Sequence, residues 1–165
     1  MLGPEPLRQL LDEYGAALVL YARQWCRAPE DVVQESLVRL IREKQLPENI
    51  VGWLFRVVRN TAISASRSES RRARHEAVAA RQSSPWFVEL PDEALDAQAA
   101  ALALAALALE QRETIVLRLW GGLSFEQIAE VTETSVSSAH RRYVAGLTAL
   151  REREIPCTTE MNRKR

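Results

Sequence analysis

Two serines and two arginines between residues 137 and 142 have the types and the helical spacing needed to contact DNA. They lie in the stretch "LSFEQIAEVTETSVSSAHRRY", residues 123–143, which has the pattern of two short helices joined by a turn. Ser137, Ser138 and Arg141 fall on one side of the second helix, with Arg142 on the flank. A small and basic face lets a helix enter the major groove, where Arg pairs with guanine and Ser with several base edges. The pattern predicts a DNA-recognition helix, and the alternative is a solvated helix of a bundle.

Capping residues mark the ends of these two helices. Ser124 and Gln127 have the spacing of a capping box, and Ser135 can cap the second helix. Glu133 occupies the turn position that usually carries Gly, where a left-handed residue costs about 1 kcal/mol more than Gly. The inner face of the second helix is expected to be core: Val136, Ala139, Tyr143, Leu147 and Leu150.

A second basic surface is predicted on the helix that runs from Trp53 to about Arg74. Its arc and flanks contain Arg56, Asn60, Arg67 and Arg74, with Arg59, Arg71 and Arg72 beside them. Residues 56–81 hold seven Arg against two Glu, a net charge of +5, whereas residues 86–113 hold six carboxylates against one Arg, a net charge of −5. The zero net charge of the whole chain therefore hides a basic surface that suits a polyanion. The alternatives are a solvated helix end for the arginines and a core position for Trp53.

The elements that must position these side chains are all predicted to be helical. The 165 residues are 47% hydrophobic and contain only six Gly, and helical periodicity recurs along the chain. In the second predicted helix, Val33, Leu37, Leu40 and Ile41 are expected to face inward. The fold class is therefore all-α, with two small helical domains joined by a linker, the C-terminal one a helix-turn-helix domain. The predicted boundaries are residues 1–75 and 97–152 for the domains, 76–96 for the linker and 153–165 for a flexible tail.

Sequence features of enzymes, metal sites and membrane proteins are absent. The two cysteines are far apart, there are only two histidines, and no Gly-rich phosphate loop is visible, so we expect no cofactor, no metal and no enzymatic activity. The longest apolar run is shorter than the ~20 residues that a membrane span requires, and the start does not have the pattern of a signal peptide. We expect a cytoplasmic protein without membrane insertion.

Three stretches, in this order, resemble the extracytoplasmic-function (group IV) sigma factors, the small two-domain initiation subunits of bacterial RNA polymerase. "EDVVQESLVRL" resembles the region-2 helix that docks on the β′ clamp helices of the polymerase. "GWLFRVVRNTAI" resembles the next region-2 helix, which engages the minus-10 promoter element. "LEQRETIVLRLWGGLSFEQIAEVTETSVSSAHRRY" resembles region 4, which reads the minus-35 element. The resemblance covers about residues 5–152 and implies a factor that binds core polymerase and promoter DNA and starts transcription.

The resemblance, together with the basic arc, assigns three sets of site residues. Binding of core polymerase is assigned to Asp31, Gln34 and Glu35. Binding of the minus-10 element is assigned to Trp53, Arg56, Arg59, Asn60, Arg67 and Arg71. Binding of the minus-35 element is assigned to Ser137, Ser138, His140, Arg141 and Arg142. The resemblance also implies contact with the β flap of the polymerase and an anti-sigma factor as a partner.

Two other classes of protein share these features. An autonomous helix-turn-helix regulator would bind an operator as a dimer, but it would leave the acidic face of the second helix and the basic third helix without a function. An interaction protein is the other alternative, because anti-sigma factors and sigma-like adaptors have similar helical architectures. Co-purification with core polymerase separates the first alternative, and promoter-dependent transcription separates the second.

Overall fold

Helices form all the regular structure of residues 3–75 and 102–161, which are the residues that this computed structural model describes. The helices are α1 (Pro4–Ala22), α2 (Pro29–Arg42), α3 (Ile50–His75), α4 (Leu109–Leu119), α5 (Phe125–Thr132) and α6 (Val136–Met161). Residues 102–105 add one helical turn before α4. The protein is all-α, as predicted, with one helical region on each side of the predicted linker. That linker, residues 76–96, lies outside the described residues.

The first three helices pack against one another around apolar side chains. Leu18 of α1, Leu40 of α2 and Leu54 of α3 are almost completely buried in one cluster. Pro29 is the first residue of α2, and Asn49 caps α3 by accepting a hydrogen bond from the Gly52 amide at 2.9 Å. The helical spacing of apolar residues therefore accounts for this part of the fold.

The prediction for Ile41 is wrong, because its side chain is 38% exposed. It lies about 100° around α2 from Leu40, which takes the buried position at the end of the helix. A short helix that packs on one side buries one stripe, and Ile41 falls at the edge of that stripe.

Helix α3 contributes one large aromatic side chain to the core. Phe55 is fully buried, and its ring meets that of Tyr21 edge to face with the centroids 5.3 Å apart. On its other side it approaches Gly121, where an added Cβ would lie 3.1 Å from Phe55 Cε2 and 2.6 Å from the Leu117 carbonyl oxygen. Phe55 therefore packs between α1 and the segment that follows α4.

One apolar core extends through the helices on both sides of the linker. Val116, Leu117 and Ile128 belong to the same buried cluster as Leu18 and Leu40. A smaller cluster lies beneath α6, where Leu104, Leu107 and Ile115 meet partly buried side chains that include Tyr143, Leu147 and Leu150. The two regions that the sequence separates are therefore joined by shared packing.

Helix α6 differs from its predicted form at both ends. Val136, predicted to be core, is 42% exposed because it is the first residue of the helix and lies next to the turn. At the other end the helix continues to Met161, into the segment predicted to be a flexible tail. The middle agrees better, since Ala139 is fully buried and an added Cβ on Gly146 would lie 2.7 Å from Ile115 Cδ1. The absence of a side chain at Gly146 therefore lets α6 pack closely on Ile115 of α4.

A buried polar cluster lies inside this shared packing. Glu113 of α4 is only 3% exposed, and its Oε1 accepts hydrogen bonds from the Tyr21 hydroxyl and from Arg59 Nε, each at 2.7 Å. These three side chains come from α1, α3 and α4. A buried carboxylate needs such partners because burial removes its hydration. The cluster therefore fixes the position of α4 against α1 and α3.

None of the helices in the described part of the chain is long and apolar enough to cross a membrane.

The hydroxyl of Tyr21 should make folding stability sensitive to alkaline pH. Burial, and then repulsion by the Glu113 carboxylate, raise the pKa of Tyr21 well above 10.0. Below about pH 10 the phenol is neutral in both states, but above it only the unfolded chain ionises. We expect the free energy of unfolding to fall by up to about 1.4 kcal/mol per pH unit there. Urea unfolding between neutral pH and pH about 11 measures this slope.

Tyr21→Phe is the matched variant for that measurement. It should be less stable at neutral pH by about 1 kcal/mol, because Glu113 loses a donor. Above pH about 10 its stability should fall less steeply than that of the wild type. Equal slopes for the two proteins would contradict this assignment.

Candidate nucleic-acid interface

Helices α5 and α6 form a helix-turn-helix with the predicted capping chemistry. Ser124 Oγ accepts from the Gln127 amide at 3.2 Å, and Gln127 Oε1 accepts from the Ser124 amide at 2.8 Å, which confirms the capping box. Glu133 is left-handed, with φ 55° and ψ 46°, as its turn position predicts. Ser135 Oγ accepts from the Ser138 amide at 3.2 Å and so caps α6. The turn and both helix starts are therefore fixed by local hydrogen bonds.

The outer face of α6 presents the predicted serines and an arginine together. Ser137 and Arg141 are exposed, and Ser138 is partly exposed. Arg141 Nη2 donates to Ser138 Oγ at 3.2 Å, and Ser138 Oγ lies 2.9 Å from Ser135 Oγ. This chain of hydrogen bonds orients Arg141 before any ligand binds. The face therefore has the small, basic and preorganised surface that groove binding requires.

His140 and Arg142 lie beside this face. The His140 ring meets Phe125 of α5 edge to face, with the centroids 5.0 Å apart, while its surface remains exposed. Phe125 also lies 5.0 Å from the guanidinium carbon of Arg118. Arg142 is partly buried on the other flank. The five residues predicted for this helix are therefore one central group with two flanking side chains.

Helix α3 presents most of the second predicted set to solvent. Arg56, Asn60, Arg67 and Arg71 are exposed. Trp53 is half-buried and packs against the main apolar cluster, in agreement with the core alternative. Four of the six predicted residues therefore form an open basic surface.

Arg59 differs from its neighbours on α3. Its side chain is 20% exposed and forms an ion pair with the nearly buried Glu113. Burial alone lowers the pKa of Arg59, but attraction to Glu113 and the hydrogen bond between them outweigh burial and raise the pKa above its ordinary value. Sequence reasoning missed Glu113, because a single glutamate 54 residues away carries no signal of this pairing. The guanidinium is therefore already occupied by a partner within the chain.

A groove between α2 and α3 joins two of the predicted sets. It is lined by Asp31 and Glu35 of α2 and by Asn60 of α3, among other residues. Asp31, Gln34 and Glu35 are all exposed, and Glu35 pairs with Arg39 one turn along the helix. The groove also contains the Thr61 hydroxyl, a buried oxygen without a hydrogen-bond partner among residues 3–75 and 102–161. The acidic face of α2 is therefore continuous with the polar edge of α3.

A second groove lies between α3 and the helix-turn-helix turn. Its lining includes Arg59, Asn60 and Arg67 from α3 and Glu133 from the turn. The Glu133 carboxylate attracts Arg59 and contributes to its raised pKa. The residue that takes the strained left-handed position therefore has charged neighbours on α3.

The described residues are equipped for binding by charge and shape. Within residues 3–75 and 102–161, no group of three or more His, Cys, Asp or Glu side chains could hold a metal ion. The arrangement offers one basic surface on α3, one on α6 and an acidic face on α2.

Two family models match the chain. The model for "Sigma-70 region 2" matches residues 10–72, and the model for "Sigma-70, region 4" matches residues 97–150. Together the two matches span more than half of the chain and contain α2, most of α3 and the helix-turn-helix. No curated protein matches the sequence.

Solved structures with the same fold include two protein complexes. The sigma factor RpoE, in complex with the anti-sigma factor NepR from Bartonella quintana, is 24% identical, with a TM-score of 0.69 over 88% of this chain and 93% of that chain. CnrH, in complex with the cytosolic domain of CnrY, is 23% identical, with a TM-score of 0.62 over 91% of this chain and 88% of that chain. At these identities the likeness is one of fold.

The capping box should contribute measurably to the stability of the helix-turn-helix. Ser124→Ala removes the acceptor for the Gln127 amide, and we expect the free energy of unfolding to fall by about 1 kcal/mol. Ser137→Ala is the control, because Ser137 lies on the solvent face of α6 and Ala favours a helix. Urea unfolding followed by circular dichroism measures both variants. Equal stability of Ser124→Ala and the wild type would contradict a stabilising box.

Proposed function

The chain belongs to the sigma-70 family, and on that premise we propose that it is a sigma factor of the extracytoplasmic-function type. It binds core RNA polymerase, recognises the minus-35 and minus-10 promoter elements and starts transcription. The observation that carries this proposal is the presence of region 2 and region 4 in order along one chain. An autonomous regulator would need the helix-turn-helix but would leave the region-2 match unexplained. We assign residues 1–75 to region 2 and residues 97–152 to region 4.

We propose that the outer face of α6 reads the minus-35 element. Ser137, Ser138 and Arg141 enter the major groove, where Arg141 reaches a base edge from the first turns of the helix. His140 and Arg142 lie beside the groove, and Arg142 contacts the phosphate backbone. The hydrogen bond from Arg141 to Ser138 supports this assignment, because it holds the guanidinium over the outer face.

We propose that α3 engages the minus-10 element through its exposed surface. Arg56, Asn60, Arg67 and Arg71 form the part that is open to DNA, and their exposure supports this role. Trp53 supports the helix from its half-buried position, and Arg59 contributes once it is released from Glu113. Positive charge attracts the DNA backbone, whereas the polar Asn60 can distinguish bases.

We propose that α2 docks on the β′ clamp helices of the polymerase through Asp31, Gln34 and Glu35, while region 4 contacts the β flap. All three α2 side chains are exposed, and their negative charge suits a basic partner surface. The protein acts by binding, without catalytic activity or a cofactor, in the cytoplasm.

An anti-sigma factor is the remaining proposed partner. The two similar structures described above were solved as complexes, and the partner of one is named as an anti-sigma factor. The similarity of this chain to the folds in those complexes supports binding of an anti-sigma factor.

Run-off transcription with core polymerase and genomic DNA tests the proposed function as a whole. Transcripts that start at defined sites only when this protein is added are the expected result. Failure to bind core polymerase, combined with binding of the free protein to an operator, would show an autonomous regulator instead.

Binding of core polymerase should depend on the acidic face of α2. We expect Asp31→Ala combined with Glu35→Ala to weaken binding at least about tenfold, since loss of a central interface charge can cost about 2–5 kcal/mol. Helical content should not change, because the pair that Glu35 forms with Arg39 is exposed and worth under about 1 kcal/mol. Glu5→Ala combined with Asp12→Ala is the control, with the same charge change at exposed positions of α1. Equal pull-down of both double variants would reject this docking face.

The two arginines of α6 should have different effects on promoter recognition. Arg141→Ala should relax the preference at one base position, because a bidentate Arg–guanine contact contributes roughly 1–3 kcal/mol of discrimination. Arg142→Ala should weaken all promoters about equally and reduce the salt slope by ~1. Holoenzyme binding to single-base promoter variants at two salt concentrations measures both effects. Uniform loss in both variants would show that Arg141 is not a base reader, and no loss in either would show that α6 is not in the groove.

A further inference from the structure

Helix α4 holds one of the proposed promoter-binding side chains inside the protein. We propose that Glu113 is an autoinhibitory latch, which keeps the free chain closed and withholds Arg59 from nucleic acid until α4 and α5 move away from α1 and α3. This inference rests on the proposed function, because it assumes that α3 is the surface that engages DNA. It adds that the same surface is regulated by the C-terminal part of the chain.

The contact of Glu113 with Arg59 and Tyr21 is buried between the helices. A single oxygen, Glu113 Oε1, accepts from Arg59 Nε and from the Tyr21 hydroxyl, each at 2.7 Å. The side chain of Glu113 is 4% exposed, and Tyr21 is fully buried. Neither the Glu113 carboxylate nor the Tyr21 hydroxyl can turn to solvent while the helices stay packed. Both hydrogen bonds to Glu113 therefore break together when α4 moves away.

Apolar packing beside the latch makes its opening cooperative. Phe55 lies one turn before Arg59 on α3 and approaches Gly121 closely. Val116 and Leu117 follow Glu113 on α4 and are fully buried in the same cluster as Phe55. Release of Arg59 therefore requires separation of an apolar surface as well as the loss of an ion pair.

Two carboxylates of the C-terminal region approach the basic surface of α3. Glu113 pairs with Arg59, and Glu133 lines the groove that contains Arg59, Asn60 and Arg67. Two carboxylates from α4 and the turn after α5 thus lie against the same surface that would attract phosphates. A negatively charged strand and these carboxylates compete for the arginine.

The closed form lowers the apparent affinity of α3 for nucleic acid. When binding requires Arg59 and only a fraction of molecules has Arg59 released, the apparent dissociation constant rises by the inverse of that fraction. A change that weakens the latch should therefore strengthen binding without adding any new contact. This is the opposite of what the loss of a direct DNA contact would do.

Glu113→Gln in the full-length chain tests the latch, because it removes the charge and keeps the size of the side chain. Glu110→Gln is the matched control, since it changes net charge equally at an exposed position one turn earlier on α4. The probe is a fluorescein-labelled single-stranded DNA of mixed sequence, about 20 nucleotides long. Fluorescence anisotropy measures the affinity of the protein for this probe. Hydrogen exchange of Leu109–Leu119 and the radius of gyration from X-ray scattering measure whether α4 separates from the N-terminal helices.

We expect Glu113→Gln to bind the probe about fivefold or more tightly than Glu110→Gln, with faster exchange in α4 and a larger radius of gyration. Adding Arg59→Ala to Glu113→Gln should abolish the gain in affinity. Equal affinity and exchange in the two glutamine variants would overturn the latch.

Tyr21→Phe gives a second test if Glu113→Gln unfolds, which circular dichroism would reveal. It removes one donor to Glu113 and retains the buried ring. The gain in probe affinity and the faster exchange of α4 should therefore appear again, but be smaller. Exchange and affinity identical to the wild type would overturn the latch. The proposed function has a separate readout. If the wild type gives no transcript with core polymerase, that function fails, and the comparison of glutamine variants still decides whether α4 closes on α3.

Discussion

The buried carboxylate of Glu113 is the constraint on which the arrangement of the two regions depends. A charge that is 3% exposed is stable only where donors meet it, and here the donors come from α1 and α3. Their positions fix α4, and α4 in turn supports α6 through the contact between Ile115 and Gly146. The location of the recognition surface relative to the N-terminal helices therefore depends on the contacts of this one oxygen atom, on the apolar packing around it and on the packing of α5 against α3.

Helix α3 serves two structural roles at once, and this determines what its basic residues can do. Phe55 and Arg59 are directed to the C-terminal helices, whereas Arg56 and Asn60 remain exposed. A charge count along the sequence treats all its arginines alike. The fold instead divides them into those available for a polyanion and one that is neutralised within the chain.

Local chemistry was predictable from the sequence, and tertiary partners were not. The capping box of Ser124 and Gln127 and the left-handed Glu133 follow from interactions between neighbouring residues, and both predictions are confirmed. Helical periodicity also predicted the all-α fold. The predictions for Ile41 and Val136 were wrong because burial at the end of a helix depends on what covers that end. The roles of Phe55 and Glu113 could not be predicted, because their partners are distant in sequence and periodicity gives no information on which helices meet.

The close contact between Gly146 and Ile115 has a geometric consequence for the N-terminal end of α6. Helix α6 has 26 residues, so it is about 39 Å long, and Gly146 lies about 15 Å from its N-terminal end. If α6 pivots at this contact, a tilt of about 10° displaces the recognition end by about 3 Å, close to the ~3.4 Å rise between successive nucleotides. Small rotations of α4 would then be magnified into a shift of register along DNA. Glycine keeps this contact close, because an added Cβ at position 146 would force the end of the Ile115 side chain to shift.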